Sequence, residues 1–253
     1  MTAATTTRSL RVLLEGLIDY AGLFPPAALS MQDAVQNYAR YREGEYAWAL
    51  GKFVVQRDRA EEVPAEFPVS VLGIDEQKAS SVEDIDRIAG EANGRTVYVE
   101  LTDLALIPHL ARHGLRAKIR TGGITADAFP AIENVAAFLR ACRQHGVPFK
   151  ATAGLHHPLR CIKPLTYDAD APTGIMHGFL NVFLAAAFLD DADEVLREED
   201  ARAFTFDDDG VAWRGHRVSI KDLSKMRQEF ATSFGSCSFE EPISDLRALG
   251  VLD

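Results

Sequence analysis

"PFKATAGLHHPLRC", residues 148–161, decides how the chain is read. It begins as a short apolar strand. Side chains alternate along a strand, so Lys150 and Thr152 share one face while Phe149, Ala151 and Ala153 share the other. Gly154 ends the run, and two adjacent histidines, a proline, an arginine and a cysteine follow. A polar face late in a strand, opening into a polar loop, suits the C-terminal rim of an α/β barrel. A buried strand followed by an ordinary loop would read the same way, so the neighbouring segments must choose.

Two upstream segments repeat the pattern. In "RTVYVEL" (95–101), Tyr98 and Glu100 face away from Val97, Val99 and Leu101. In "LRAKIRTGG" (115–123), Lys118 and Arg120 face away from Ala117 and Ile119. Parallel strands covered by helices are nearly all apolar, so these polar faces are expected to point into a barrel. Glu100 neutralises one of Lys118, Arg120 and Lys150 on this reading. Unpaired interior charge is costly, so the two remaining cations predict a bound anion. The plainer alternative is a structural Glu–Lys or Glu–Arg pair that plugs the barrel.

The rest of the chain alternates in the same manner. Helical patterns cover 9–17, 81–92, 104–114 and 128–146, and another opens at Ser30 with Asp33 three residues on. Strand-like runs cover 18–24, 49–56 and 68–74. In the last third we read a buried helix at 174–189, a hairpin around "DDDG" (203–215, an insertion near 203–218) and a helix at 220–235. An eighth strand at 236–242 and a closing helix at 243–250 complete the chain. The sum predicts an α/β fold: a single (β/α)8 TIM-barrel-like domain over residues 1–253 with a decorated, irregular C-terminal third. An open doubly wound sheet is the alternative, although no Gly-x-Gly-x-x-Gly supports a dinucleotide site.

Composition bounds the function. Of 253 residues, 37 are Asp or Glu and 27 Lys or Arg, a net charge of −10. That field disfavours nucleic acid and anionic membranes as partners. Three distant cysteines imply no disulfide framework and a reducing compartment. The N-terminus has no apolar signal core, and the near-apolar run 178–189 is too short to span a bilayer. We therefore expect a cytoplasmic protein with a small anionic metabolite as partner, no nucleic acid, no membrane and no cofactor. A homo-oligomer remains open.

Further site candidates follow from position. Gly122 and Gly123, just past Arg120, would let backbone N–H groups approach an anion, or would simply turn the chain. Residues 153–174 form a long run without evident structure, the mark of a binding loop or lid, and carry His156, His157 and Arg160. His177 and Asn181 share a helix face, either towards ligand or as a satisfied core pair. Ser236, in "SFGSCSFEE" (233–241), would form an anion-binding turn. Cys237 beside it is either a nucleophile or packing. Asp19 closes the first strand. A metal site would need His156 or His157 with Glu100 and His177, but no metal-ligand spacing motif occurs, and a lone histidine acting as acid or base needs less.

"FKATAG" (149–154) resembles the Schiff-base strand of class I aldolases of the deoxyribose-phosphate aldolase type. The resemblance implies that Lys150 condenses with a substrate carbonyl, with Glu100 loosely in place of that family's acid. Lys118, on the preceding strand, would tune Lys150 by repulsion. "DYAGLFPPA" (19–27) and "FGSCSFEEP" (234–242) resemble segments of a bacterial protein family, which implies no particular activity.

The leading expectation is thus an enzyme, lyase or aldolase-like, acting on a small anionic carbonyl, carboxylate or sugar-phosphate compound. Lys150 acts as nucleophile or base, Lys118 and Arg120 hold the anion, and Glu100 and His156 move protons. The alternatives are a metal-dependent hydrolase or isomerase with His/Glu ligands, and a non-catalytic barrel that binds an anionic metabolite or a protein.

Overall fold

The computed structural model describes residues 6–252. Eight parallel strands close into a barrel. Seven come in chain order: β1 (Ile18–Tyr20), β2 (Leu50–Gln56), β3 (Val69–Leu72), β4 (Glu76–Ala79), β5 (Tyr98–Leu101), β6 (Arg116–Arg120) and β7 (Phe149–Thr152). A long excursion then intervenes. It holds a hairpin, β8 (Cys161–Pro164) and β9 (Thr173–Met176), and a three-stranded antiparallel sheet, β10 (Phe204–Phe206), β11 (Gly210–Trp213) and β12 (His216–Ser219). The closing strand, β13 (Ala231–Ser236), fits between β1 and β7, with Phe234 level with Ile18 and Ala151.

Helices wrap the outside: α1 (Arg8–Leu14), α2 (Met31–Arg42), α3 (Val82–Glu91), α4 (Ile107–His113), α5 (Ile132–Gln144), α6 (Phe179–Ala187), α7 (Ala192–Arg197), α8 (Ile220–Glu229) and α9 (Glu240–Ala248). Local chemistry sets several boundaries. Ser30, Ser81 and Ser219 each accept the backbone N–H three residues on, at the starts of α2, α3 and α8. Pro108 lies in the first turn of α4, where a missing N–H costs nothing. In α5, Ile132, Val135, Ala136, Leu139 and Cys142 form one buried stripe against the barrel. Helix α6 is buried from Phe179 to Ala186, since the excursion covers the side that solvent would otherwise wet.

The excursion departs from the sequence expectations. The run 153–174 is not structureless, because Ile162 pairs with Ile175 in the β8–β9 hairpin. Residues 203–215 do form the expected hairpin, but β12 extends it to a three-stranded sheet, and it supplies no barrel strand. The last barrel strand is 231–236, not 236–242, and α8 stops at Glu229. Phe230 and Phe234 continue the helical spacing of Leu223 and Met226, so periodicity alone carries the helix too far. The missing strand is β4, "EQKA". It follows β3 after a three-residue turn at 73–75, in which the N–H groups of Ile74 and Asp75 both reach Val71 O. No helix separates β3 from β4, so the βαβ rhythm that marks the other strands is absent there.

One end of the barrel is plugged. The buried guanidinium of Arg227, on α8, donates to Leu13 O (2.7 Å), Glu15 O (2.9 Å) and Thr232 O (2.6 Å), and also to Ala231 O. These carbonyls precede β1 or begin β13, so Arg227 seals the N-terminal side. Burial lowers its pKa to about 10, only partly opposed by Asp19. No helix among the described residues is long and apolar enough to cross a membrane.

Candidate active site

The strand pairing fixes which polar residues meet. Lys118 is level with Lys150 and Glu100 with Lys118, so adjacent strands put them side by side on the interior face. Lys150 is only 2% exposed. Its Nζ donates to Glu76 Oε1 at 2.6 Å and to Asp19 Oδ2 at 2.8 Å. It also lies 5.5 Å from the centre of the Tyr98 ring, a cation–π contact from below. Lys118 Nζ donates to Glu76 Oε2 at 3.2 Å. It is 3.3 Å from Glu100 Oε2, close enough for an ion pair but outside hydrogen-bond geometry, since that oxygen has no hydrogen-bond partner among the described residues. Glu76 therefore bridges both lysines, one on each oxygen.

The carboxylates are held in turn. Ser70 Oγ donates to Glu76 Oε1 at 2.8 Å. Asp19 accepts from Ser233 Oγ (2.8 Å) on Oδ2 and from the backbone N–H of Lys52 (2.8 Å) on Oδ1. Burial alone would raise the Glu76 pKa, but the charges of Lys150 and Lys118 outweigh it and pull the group down to about 2. The same contest favours charge on Lys150. Burial favours the neutral amine, yet Asp19 and Glu76 hold its pKa above the ordinary lysine range. The Glu100 pKa is lowered as well, because Lys118 and Arg120 outweigh its burial.

This balance corrects one expectation. Strand alternation alone leaves Glu100 as the interior carboxylate opposite three cations, two of them for an anion. Asp19 and Glu76 join it, so three carboxylates face Lys118, Lys150 and Arg120. The loosest of these cations is Arg120. Its side chain is 48% exposed at the mouth, with Nε 3.7 Å from Glu100 Oε1.

A cavity of about 320 Å³ opens above the network. Lys118, Arg120, Gly123, Lys150, Thr152 and His156 all line it, together with Glu76 and Cys237. Pro25 and Pro26 form part of its wall. Arg120, Gly123 and Thr152 end or follow their strands, which places the opening at the C-terminal rim.

Other candidates lie elsewhere. Gly122 serves packing: a Cβ there would stand 2.4 Å from the Phe129 ring. His157 Nδ1 bonds Asp245 Oδ2 at 2.6 Å and lies outside the cavity lining. Arg160 and His177 line a separate surface hollow beside α5. There Arg160 pairs with Glu199, and His177 Nε2 bonds Pro130 O at 2.7 Å. Asn181 is structural: Oδ1 accepts the Arg160 N–H, while Nδ2 donates to Val195 O and Glu198 O. His177 and Asn181 therefore do not bond each other as a core pair. Ser236 is buried and its Oγ accepts the N–H of Ser238 at 3.3 Å. Among the described residues, no three or more His, Cys, Asp or Glu side chains are grouped so as to hold a metal ion.

Sequence reading missed Glu76, Ser70 and Ser233. The signal available for Glu76 was a shortfall: only six strands were clear by residue 153, where a barrel closed by one late strand needs seven.

The geometry around Asp19 makes a test. A Cβ on Gly51 would sit 2.3 Å from Asp19 Oδ1 and 3.1 Å from Gly16 O. Gly51→Ala is expected to displace this carboxylate and to cost about 1–3 kcal/mol, as overpacking does, measured by urea unfolding.

The chain matches no protein-family model and no curated protein among those with which it was compared.

Proposed function

We propose that the chain is an enzyme acting on a small carbonyl compound with an anionic group, through an imine formed at Lys150. The observation that carries this is Glu76, which holds Lys150 at 2.6 Å and Lys118 at 3.2 Å beneath an open cavity.

An ammonium group is no nucleophile, and Lys150 rests as one. Its partners, however, are also proton acceptors. When a carbonyl carbon reaches Nζ, one proton passes to Glu76 or Asp19 and the nitrogen lone pair forms the C–N bond. The nitrogen gives up a further proton as the carbonyl oxygen gains one, by way of the same carboxylates, and a neutral carbinolamine with a hydroxyl results. A second proton, returned by the carboxylic acid or by His156, lets that hydroxyl leave as water. The iminium that remains is an electron sink, so a bond next to the former carbonyl carbon can break. This is the lyase chemistry that the strand resemblance implies.

The supporting residues take roles that fit their positions. Lys118 has one geometric hydrogen bond and two further N–H groups, so it can polarise the carbonyl oxygen. Arg120, half exposed at the rim, suits the anionic end of the compound. Thr152 and Gly123 shape the wall between them.

Borohydride reduction in the presence of pyruvate or dihydroxyacetone phosphate tests the proposal. A stable adduct is expected, mapped to Lys150 by peptide mass spectrometry and absent in Lys150→Arg. Labelling of no residue, or of a different lysine, rejects it.

A further inference from the structure

We propose that Cys237, paired with His156, is a second nucleophile of this cavity, one that adds to the β-carbon of a small α,β-unsaturated carbonyl compound. The inference concerns a different side chain and does not depend on an imine at Lys150.

Cys237 and His156 come from distant parts of the chain and line the same cavity. Cys237 immediately follows β13, three positions beyond Phe234, which is level with Ala151. It therefore lies nearer the mouth than the lysine layer, on the wall of the same cavity. His156 lies in the loop after β7. The thiol sulfur is 3.8 Å from His156 Nδ1, and the same nitrogen is 3.2 Å from Glu241 Oε2, on α9. Tyr167, carried over by the β8–β9 hairpin, completes the cluster. Its hydroxyl donates to Glu241 Oε2 at 3.1 Å and lies 3.6 Å from the sulfur.

Burial opposes a charged His156 ring, but the bonds and charges of Cys237 and Glu241 prevail and raise its pKa to about 9. The ring is therefore suited to keep a proton taken from the thiol, with Glu241 balancing the charge. Among the described residues, the other two thiols have no imidazole partner of this kind. Cys142 is fully buried in α5, where burial pushes the thiol up, and burial raises Cys161 to about 11. A thiol beside an imidazolium is the environment in which cysteines become reactive.

The step balances without a further reagent. The S–H proton passes to the imidazole and sulfur forms a C–S bond to the β-carbon. The C=C electrons shift towards the carbonyl, whose oxygen the cationic end of the cavity can polarise. The α-carbon then takes the proton back from the imidazolium, so the net change is addition of S–H across the double bond.

Acrylamide, a small conjugated amide, is the probe, applied to the intact protein at neutral pH and followed by peptide mass spectrometry. Cys237 is expected to be labelled at least about tenfold faster than Cys161 and Cys142, and His156→Gln to slow it by at least about tenfold without changing Cys161. Cys237 labelling no faster than Cys161, or insensitive to His156→Gln in folded protein, overturns the proposal. If His156→Gln does not fold, the wild-type ratio among the three cysteines decides alone. Because the label reports on sulfur, this experiment and the borohydride trap can fail separately.

Discussion

Glu76→Leu is expected to destabilise the protein by about 3–5 kcal/mol, the usual cost of removing one partner from a buried ion pair. For a chain of this size that corresponds to a fall in Tm of roughly 6–20 °C. The size of the effect comes from what remains. Lys150 keeps Asp19 but loses its 2.6 Å contact, and Lys118 keeps only the looser pairing with Glu100. Ser70 loses its acceptor as well. Two ammonium groups would then share an enclosed space with one good partner between them. The double change Glu76→Leu with Lys150→Met removes a positive and a negative charge together. It leaves Asp19 bonded to Ser233 and to the Lys52 N–H, and Lys118 beside Glu100. It is therefore expected to be more stable than Glu76→Leu alone. Urea unfolding of both variants checks this. A single change that costs under about 1 kcal/mol, the range of exposed pairs, would mean that the bridge is not a buried one.

This network also shows what a sequence can and cannot disclose. Lys118, Lys150 and Glu100 were legible because a strand alternates strictly. Once Ala117, Ile119, Phe149 and Ala151 are assigned to the helix-facing side, the charged residues have only the interior left. Glu76 was not legible by that logic. Its strand is four residues long, has no β-branched side chain, and lies a tight turn after β3. Nothing in "EQKA" favours extended structure by itself. Pairing with β5 imposes it, Glu76 beside Tyr98 and Lys78 beside Glu100. The closing strand was obscured for the opposite reason. "ATSFGS" is small and polar where it faces the interior, at Ser233 and Gly235, so the apolar residues left over match a helix as well as a strand. The His156–Cys237 pair was invisible because its 3.8 Å contact joins residues 81 positions apart. Neighbouring residues of an extended chain face opposite ways, so His156 and His157 cannot easily share one site. Sequence did not say that the other would turn to Asp245.

Acidification should expose the same network. The Glu76 carboxyl has its pKa at about 2 in the folded chain and at the ordinary 4.5 when unfolded. Above 4.5 the group is ionised in both states, and its stabilising effect is complete. Between 4.5 and about 2 the unfolded chain binds a proton that the folded chain does not, so stability falls as pH falls. Below about 2 both states are protonated and the contribution is gone. Some two and a half units at 1.36 kcal/mol each give about 3 kcal/mol lost across this window. Glu100 and Glu241 are shifted the same way and add to the slope. Lys150 behaves oppositely, because its pKa is raised. Its contribution is complete below 10.5 and declines only in more alkaline solution, so it does not offset the acid loss. Urea unfolding of wild type and Glu76→Gln, from pH 6 to pH 2, isolates the carboxylate. The variant starts lower, and its curve should be flatter by about 3 kcal/mol over the window. Parallel curves would mean that Glu76 gains nothing from its lysines on folding, and the proton acceptor assigned to Lys150 would then have to be Asp19.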